Sequence, residues 1–264
     1  MARAKRSRSA ARANPLRAHG AAVRLFRKMD MPGEIGIVLN NTPVKPASDD
    51  PMDLLAARNQ EGFNNRWFFD AVFKGRFPED MVALFREKGI TLPDLSDQAS
   101  MCEPLDFWGL NYYFPVVVRY DREAWLLNAK EVYIDVPHSD RGWTIDPDCF
   151  RDLIIRLNAE YDMPKMIISE NGASYNDIVM MDGSIKDYNR IDYIRRHLIA
   201  LHEAMEAGID VRGYFVWSFY DNFEWAFGRY SRFGLVYENF DTHERTPKES
   251  AYWYRNVIEQ KGFD

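Results

Sequence analysis

A carboxylate that closes an apolar run is costly to bury unless it is hydrogen-bonded or put to use. Glu170 stands in that position, directly after Met166-Ile167-Ile168-Ser169. Two further apolar runs end in groups that could meet a polyhydroxylated ligand. One ends in Asn111, Tyr112 and Tyr113; the other ends in Trp217, Ser218 and Phe219 and leads to Asp221, Asn222, Glu224 and Trp225. Residues 217–233 hold eight aromatics in 17 positions, several times the share expected from a chain that is 14% aromatic. Flat rings pack against the C–H face of a pyranose, while carboxylates and amides nearby hold its hydroxyls. Two plainer readings stand beside this one. Glu170 could cap a helix or sit in an ion pair. An aromatic core cluster would account for Phe219, Phe223 and Phe227. It accounts less well for Trp217, Glu224 and Trp225, because Glu224 is polar amid the rings.

The elements that must carry these groups alternate between strand and helix, which argues for parallel β/α units. A helix is expected from about Leu16 to Met29, then a short strand at Ile35 to Asn40. Met52 to Asp70 and Glu79 to Lys88 read as helices, the second bracketed by Pro78 and Gly89. Asp106 to Tyr113 is the second strand, and VVVRY with KEVYIDV forms a β excursion. Asp146-Pro147 opens a helix with Phe150, Leu153, Ile154 and Leu157 on one face. Met166 to Asn171 is the third strand, and a helix follows from about Asp187 to Ala207. Gly213 to Phe219 is the fourth strand. The spacing Thr246-Pro247-Lys248-Glu249 predicts a capping box at the start of the last helix. All four strands are apolar at consecutive positions, as strands covered on both faces are. In a β/α barrel the reactive groups sit at the C-terminal strand ends, where the residues above lie.

Composition narrows the partners. Residues 1–28 carry nine Lys or Arg and no acid, whereas the remainder carries 25 basic and 40 acidic residues. So acidic a body makes nucleic acid an unsuitable partner. Residues 1–15 read as a solvated, disordered basic tail, with residues 16–264 as the barrel segment; an organelle transit peptide is a weaker reading of the tail. No apolar run approaches the ~20 residues of a membrane span. Cys102 and Cys149 show no CxxC spacing, which fits reduced thiols in a cytoplasmic setting. His19, His138, His197, His202 and His243 show no ligand spacing, and there is no phosphate-binding glycine motif. Neither a metal nor a cofactor is expected.

The strings ISENG, DFWGLNYY and FVWSFYDNFEWAFGRYSRFGLVY, followed by RTPKESAYWYRNVI, resemble family 1 glycoside hydrolases, the β-glucosidases. The similarity runs from about His19 to the C-terminus. It implies a β/α barrel and hydrolysis of β-glycosidic bonds with retention of configuration. On that resemblance Glu170 is the nucleophile, with Ser169 in place of the usual Thr, and Tyr113 the phenol that bonds it. Asn111 is a polar neighbour near the sugar 2-hydroxyl, and Trp217 a stacking surface. Glu224 and Trp225 read the O3, O4 and O6 hydroxyls. Trp143 resembles an aglycone-side ring and Phe233 a rim aromatic.

Retention needs a second carboxyl group, about 5–5.5 Å from the first. The family takes it from an Asn-Glu-Pro string at the end of the fourth barrel strand, and no such string occurs here. Glu103-Pro104 comes before a strand instead of ending one. The family's N-terminal sugar-binding Gln and its His-Trp pair also lack counterparts. The resemblance therefore implies a partial barrel, the C-terminal four β/α units, with open strand edges. Such a chain is expected to be feeble or inactive alone. It would pair with itself or with a complementing N-terminal half, or it would not fold well. The competing reading is a carbohydrate-binding or vestigial half-barrel without turnover.

Overall fold

Each main strand of the computed structural model leads into a helical layer, and the strands lie side by side in chain order. The structure describes residues 2–92 and 94–263, the side chains of residues 2–12 excepted. Helix α1 (Ala2–Lys28) is followed by β1 (Gly36–Asn40), β2 (Val44–Pro46), α2 (Pro51–Glu61), α3 (Trp67–Lys74) and α4 (Glu79–Glu87). Then come β3 (Phe107–Tyr112), β4 (Val116–Tyr120), β5 (Ala129–Glu131), α5 (Pro147–Glu160), β6 (Met166–Asn171) and α6 (Tyr188–Glu206). The chain closes with β7 (Val211–Val216), β8 (Val236–Glu238), β9 (Arg245–Pro247) and α7 (Glu249–Gln260).

Strands β1, β3, β6 and β7 form one parallel sheet in that order. The outer face of this sheet buries Trp108, Leu110, Tyr112, Met166 and Ile168 against Phe150, Leu153, Ile154 and Leu157 of α5 and Ala200, Leu201 and Ala204 of α6. The four α5 residues are the helical stripe the sequence predicts. Val38 of β1 and Phe215 of β7 instead remain largely exposed. β1 and β7 are the two edges of the sheet. The arrangement is a partial β/α barrel. A small sheet of β2, β4 and β5 forms the excursion, with β4 and β5 antiparallel.

Several boundaries differ from expectation. α1 runs from Ala2, through Pro15, and so takes in the stretch expected as a disordered tail. Alanine and arginine are strong helix formers, and Ala13 and Leu16 are buried against Trp67, Met81 and Phe85. Met1 and the side chains of the first residues lie outside the described residues. The single helix expected over Met52 to Asp70 is broken into α2 and α3 by a π-helical turn, Gly62–Arg66. Asn65 of that turn bonds both the backbone N–H (3.1 Å) and the carbonyl (2.9 Å) of Thr42, so it holds the chain leaving β1. The fourth strand starts earlier and stops at Val216, so Trp217, Ser218 and Phe219 lie beyond it. The capping box before α7 does not form. Thr246 and Pro247 belong to β9, and Lys248 makes no cap. Asp187 caps α7 instead, from a distant segment, accepting from Ser250 N–H at 2.9 Å and Ser250 hydroxyl at 2.5 Å.

Candidate active site

Glu170 lies in β6 opposite Asn111 of β3, at the C-terminal ends of both strands. Tyr113 follows β3 by one residue, and its hydroxyl donates to Glu170 Oε2. Burial and the Glu170 carboxylate both push the Tyr113 phenol well above its ordinary pKa, so it stays protonated and remains a donor. The Tyr113 backbone is fixed in turn, its carbonyl accepting from the Tyr193 hydroxyl at 3.1 Å. Asn111 Oδ1 accepts from the Ser169 hydroxyl at 2.7 Å. The plainer reading of Glu170, as a helix cap or ion pair, finds no support: its bond is to a neutral phenol.

Asn171 sits behind this pair, fully buried. It donates to Tyr112 O (2.9 Å) and to Tyr193 (3.0 Å), and accepts from Tyr214 at 2.6 Å. Its carbonyl takes Trp217 N–H at 2.9 Å, so the residue after Glu170 fixes the exit of β7. Gly172 is required there. A Cβ on it would stand 1.9 Å from the Trp217 carbonyl oxygen.

The Trp217 indole donates to Glu224 Oε1 at 3.2 Å. Glu224 is only 8% exposed. Burial raises its pKa, the indole opposes that rise, and the Glu170 and Asp221 carboxylates add to it. Two carboxylates thus lie within electrostatic reach of one another on adjacent strand exits. Trp225 begins a short 3-10 turn and is 85% exposed.

The aromatic segment is not a core cluster. Phe219 is 70% exposed, and Phe223 and Phe227 are also exposed. Phe233 is the exception and corrects its expected place on the rim. It is 2% exposed, packed 5.6 Å from the Trp143 ring and 6.3 Å from the Tyr113 ring. The cause is the return of the loop across its own base, where Ser218 N–H bonds Phe233 O at 3.1 Å. Trp143 stacks on Phe114 at 4.5 Å and lies 5.5 Å from Tyr113, so Trp143 and Phe233 form one aromatic wall beside Tyr113. Among the described residues, no group of three or more His, Cys, Asp or Glu side chains could hold a metal ion. Both cysteines are free.

Sequence reasoning missed Asn171, Tyr193 and Tyr214, although the first carried a signal: a polar side chain that ends a buried strand. It also missed Lys248 and Arg190, whose sequence positions look like those of ordinary surface cations.

Residues 2–263 match the profile of Glycosyl hydrolase family 1. The chain belongs to this family. It is 40% identical over 253 residues to Beta-glucosidase A of Acetivibrio thermocellus, covering 95% of this chain and 56% of that protein. Two solved structures are similar. One is a β-glucosidase from Thermotoga maritima in complex with deoxynojirimycin, with TM-score 0.89, 40% identity, and coverage of 95% of this chain and 56% of that one. The other is the GH1 β-glucosidase from Exiguobacterium antarcticum B7, with TM-score 0.88, 41% identity, and coverage of 93% and 55%. This family 1 chain thus spans little more than half the length of the relatives it matches. No helix among its described residues is long and apolar enough to cross a membrane.

Proposed function

We infer that these residues form the sugar-holding and nucleophilic part of a retaining β-glucosidase site. The observation that carries this reading is the Tyr113 hydroxyl seated on Glu170 at adjoining strand ends. A donor that cannot ionise holds the carboxylate in one orientation while leaving its other oxygen free to attack. In the first step Glu170 forms a bond to the anomeric carbon, and the bond from that carbon to the leaving oxygen breaks. Water then displaces Glu170. Glu224 and Trp225 hold the outer hydroxyls, Trp217 underlies the ring, and Asn111 faces the 2-hydroxyl. Trp143 lines the leaving-group side, with Phe233 supporting it from behind.

The leaving oxygen needs a proton, and a positioned acid is worth ~10²–10⁴-fold. Glu103 does not supply it. It pairs with Arg24 at 2.6 Å ahead of β3, at the strand end opposite Glu170. The acid belongs to β/α units outside these 264 residues, docked against the free edges of β1 and β7, in the same or another polypeptide. The four strands seen here are the last four of the barrel in this reading. Without those units the site favours binding over turnover.

The substrate that tests this is 2,4-dinitrophenyl β-glucoside, whose leaving group needs little protonation. Slow release is expected from the chain and none above background from Glu170→Gln. Equal rates from the two proteins would remove Glu170 from the mechanism.

A further inference from the structure

The loop between β7 and β8 carries Trp217, Glu224 and Trp225, yet its regular structure is limited to one 3-10 turn, Trp225–Phe227. Asp221 holds its shape. One carboxylate oxygen accepts from Gly234 N–H at 2.9 Å on the returning arm, and the other accepts from Arg232 at 2.6 Å. The outgoing and returning arms are therefore stapled together at Asp221, three residues before Glu224.

Asp221 is itself tied down from outside the loop. Lys248, fully buried just before α7, places Nζ 2.9 Å from Asp221 Oδ1 and 2.5 Å from Asp177 Oδ2. Asp177 lies in the segment that follows Glu170 and Gly172. It is held at 3.1 Å by both terminal nitrogens of Arg190 on α6. Arg190 also bonds Asp187 and the carbonyl of Arg232, the latter at 2.8 Å. Three buried or near-buried cations thus face three buried carboxylates, and Lys248 bridges the segment after the Glu170 strand to the Glu224 loop.

We propose that Lys248 is a positioning residue that sets the Trp217–Glu224 pair relative to Glu170 by joining Asp221 to Asp177. Its work rests on the reading of Glu224 as a sugar-holding group, but its geometry does not. A fully buried ammonium with two carboxylate partners is more than charge compensation. Both partners belong to segments leaving the C-terminal ends of adjacent strands, so the distance between those exits is fixed through one atom. Losing it unties the Asp221 staple from Asp177 and leaves Arg232 as the one cation on Asp221, so more of the Asp221 charge is felt at Glu224.

The experiment uses the full chain labelled with ¹⁵N, with the Trp217 indole N–H signal assigned from Trp217→Phe. That signal reports the bond to Glu224 and titrates with its carboxyl group, without any sugar present. The variants are Lys248→Met and the charge-balanced pair Lys248→Met/Asp177→Asn, which removes one cation together with one anion and guards against simple unfolding. In the pair, read well below its melting temperature, the indole signal is expected to move. Its titration midpoint is expected to rise by about one pH unit as Asp221 loses one of its two counter-ions and keeps only Arg232. An indole signal and midpoint coinciding with the unaltered chain would overturn the assignment, because a residue of merely structural role would lower the melting temperature and leave both unmoved. Deoxynojirimycin affinity, measured in parallel, is expected to fall about tenfold, the worth of one hydrogen bond. No binding by the unaltered chain would count against the sugar-site reading alone, and the indole result would still decide the role of Lys248.

Discussion

At the scale of single residues, the central fact is that Glu170 is oriented by a phenol held in its neutral form. Tyr113→Phe removes one hydrogen bond to a charged group, worth ~1.5–3 kcal/mol. Glycosylation by an activated aryl glucoside is therefore expected to slow by about 10–100-fold, with little change in melting temperature. Stopped-flow or steady-state release of the phenol checks this. His197 belongs to the same layer but not to the chemistry. It is fully buried, stacked on Tyr193 at 4.0 Å, with Nδ1 against the Tyr193 carbonyl at 2.8 Å. Burial lowers its pKa from 6.5 to about 4. Above pH 6.5 both folded and unfolded chains hold it neutral. As the pH falls from 6.5 towards 4, the unfolded chain takes up the proton first and stability is lost, by on the order of 3 kcal/mol in all. Below about 4 the loss levels off. Denaturant melts across that range should show the loss, and His197→Phe should flatten it.

At the scale of elements, the site depends on how closely the strand exits approach one another. Gly172 is the tightest of these approaches, and Gly172→Ala must displace the Trp217 carbonyl. Overpacking of this kind costs ~1–3 kcal/mol. A lowered melting temperature is expected together with weakened deoxynojirimycin binding; unchanged affinity would show that the Trp217 exit can shift without cost to the site. The strands and the helix after Asp146 were legible in the sequence because consecutive apolar residues and one stripe of Phe150, Leu153, Ile154 and Leu157 can be buried in few other ways. Asp146 accepts from Cys149 N–H at 2.9 Å, as an N-cap should. The start of α7 was not legible. Its sequence fits a local cap, but Pro247 is drawn into β9, Lys248 is buried in the charge cluster, and Asp187 caps from 63 residues away. The same limit hid Arg190 and Lys248, since a buried cation is marked by partners that are remote in sequence. Glu170, Tyr113 and Trp217 stood out because they end or directly follow strands, and Glu224 because it is polar amid aromatic residues. Phe233 was misread because its burial depends on how the loop returns.

At the scale of the whole molecule, the described sheet has two free parallel edges and leaves Val38 and Phe215 exposed on the face turned from the helices. Such edges invite pairing. In solution this chain alone is expected to exceed its 30.9 kDa monomer mass. Addition of the β/α units proposed to carry the acid should return it to a one-to-one complex and raise turnover of unactivated glucosides by about 10²–10⁴-fold. Light scattering before and after addition checks the first expectation, and cellobiose hydrolysis checks the second. A monomer indifferent to those units would contradict both.

The most direct test of the account is to label the proposed nucleophile. A 2-deoxy-2-fluoro-β-glucosyl fluoride carries a leaving group that departs without strong acid assistance and forms a long-lived ester with the attacking carboxylate. Peptide mass spectrometry is predicted to find one fluoroglucosyl group on Glu170, with none on the Glu170→Gln protein. A label on any other carboxylate, or equal labelling of the two proteins, would contradict the account.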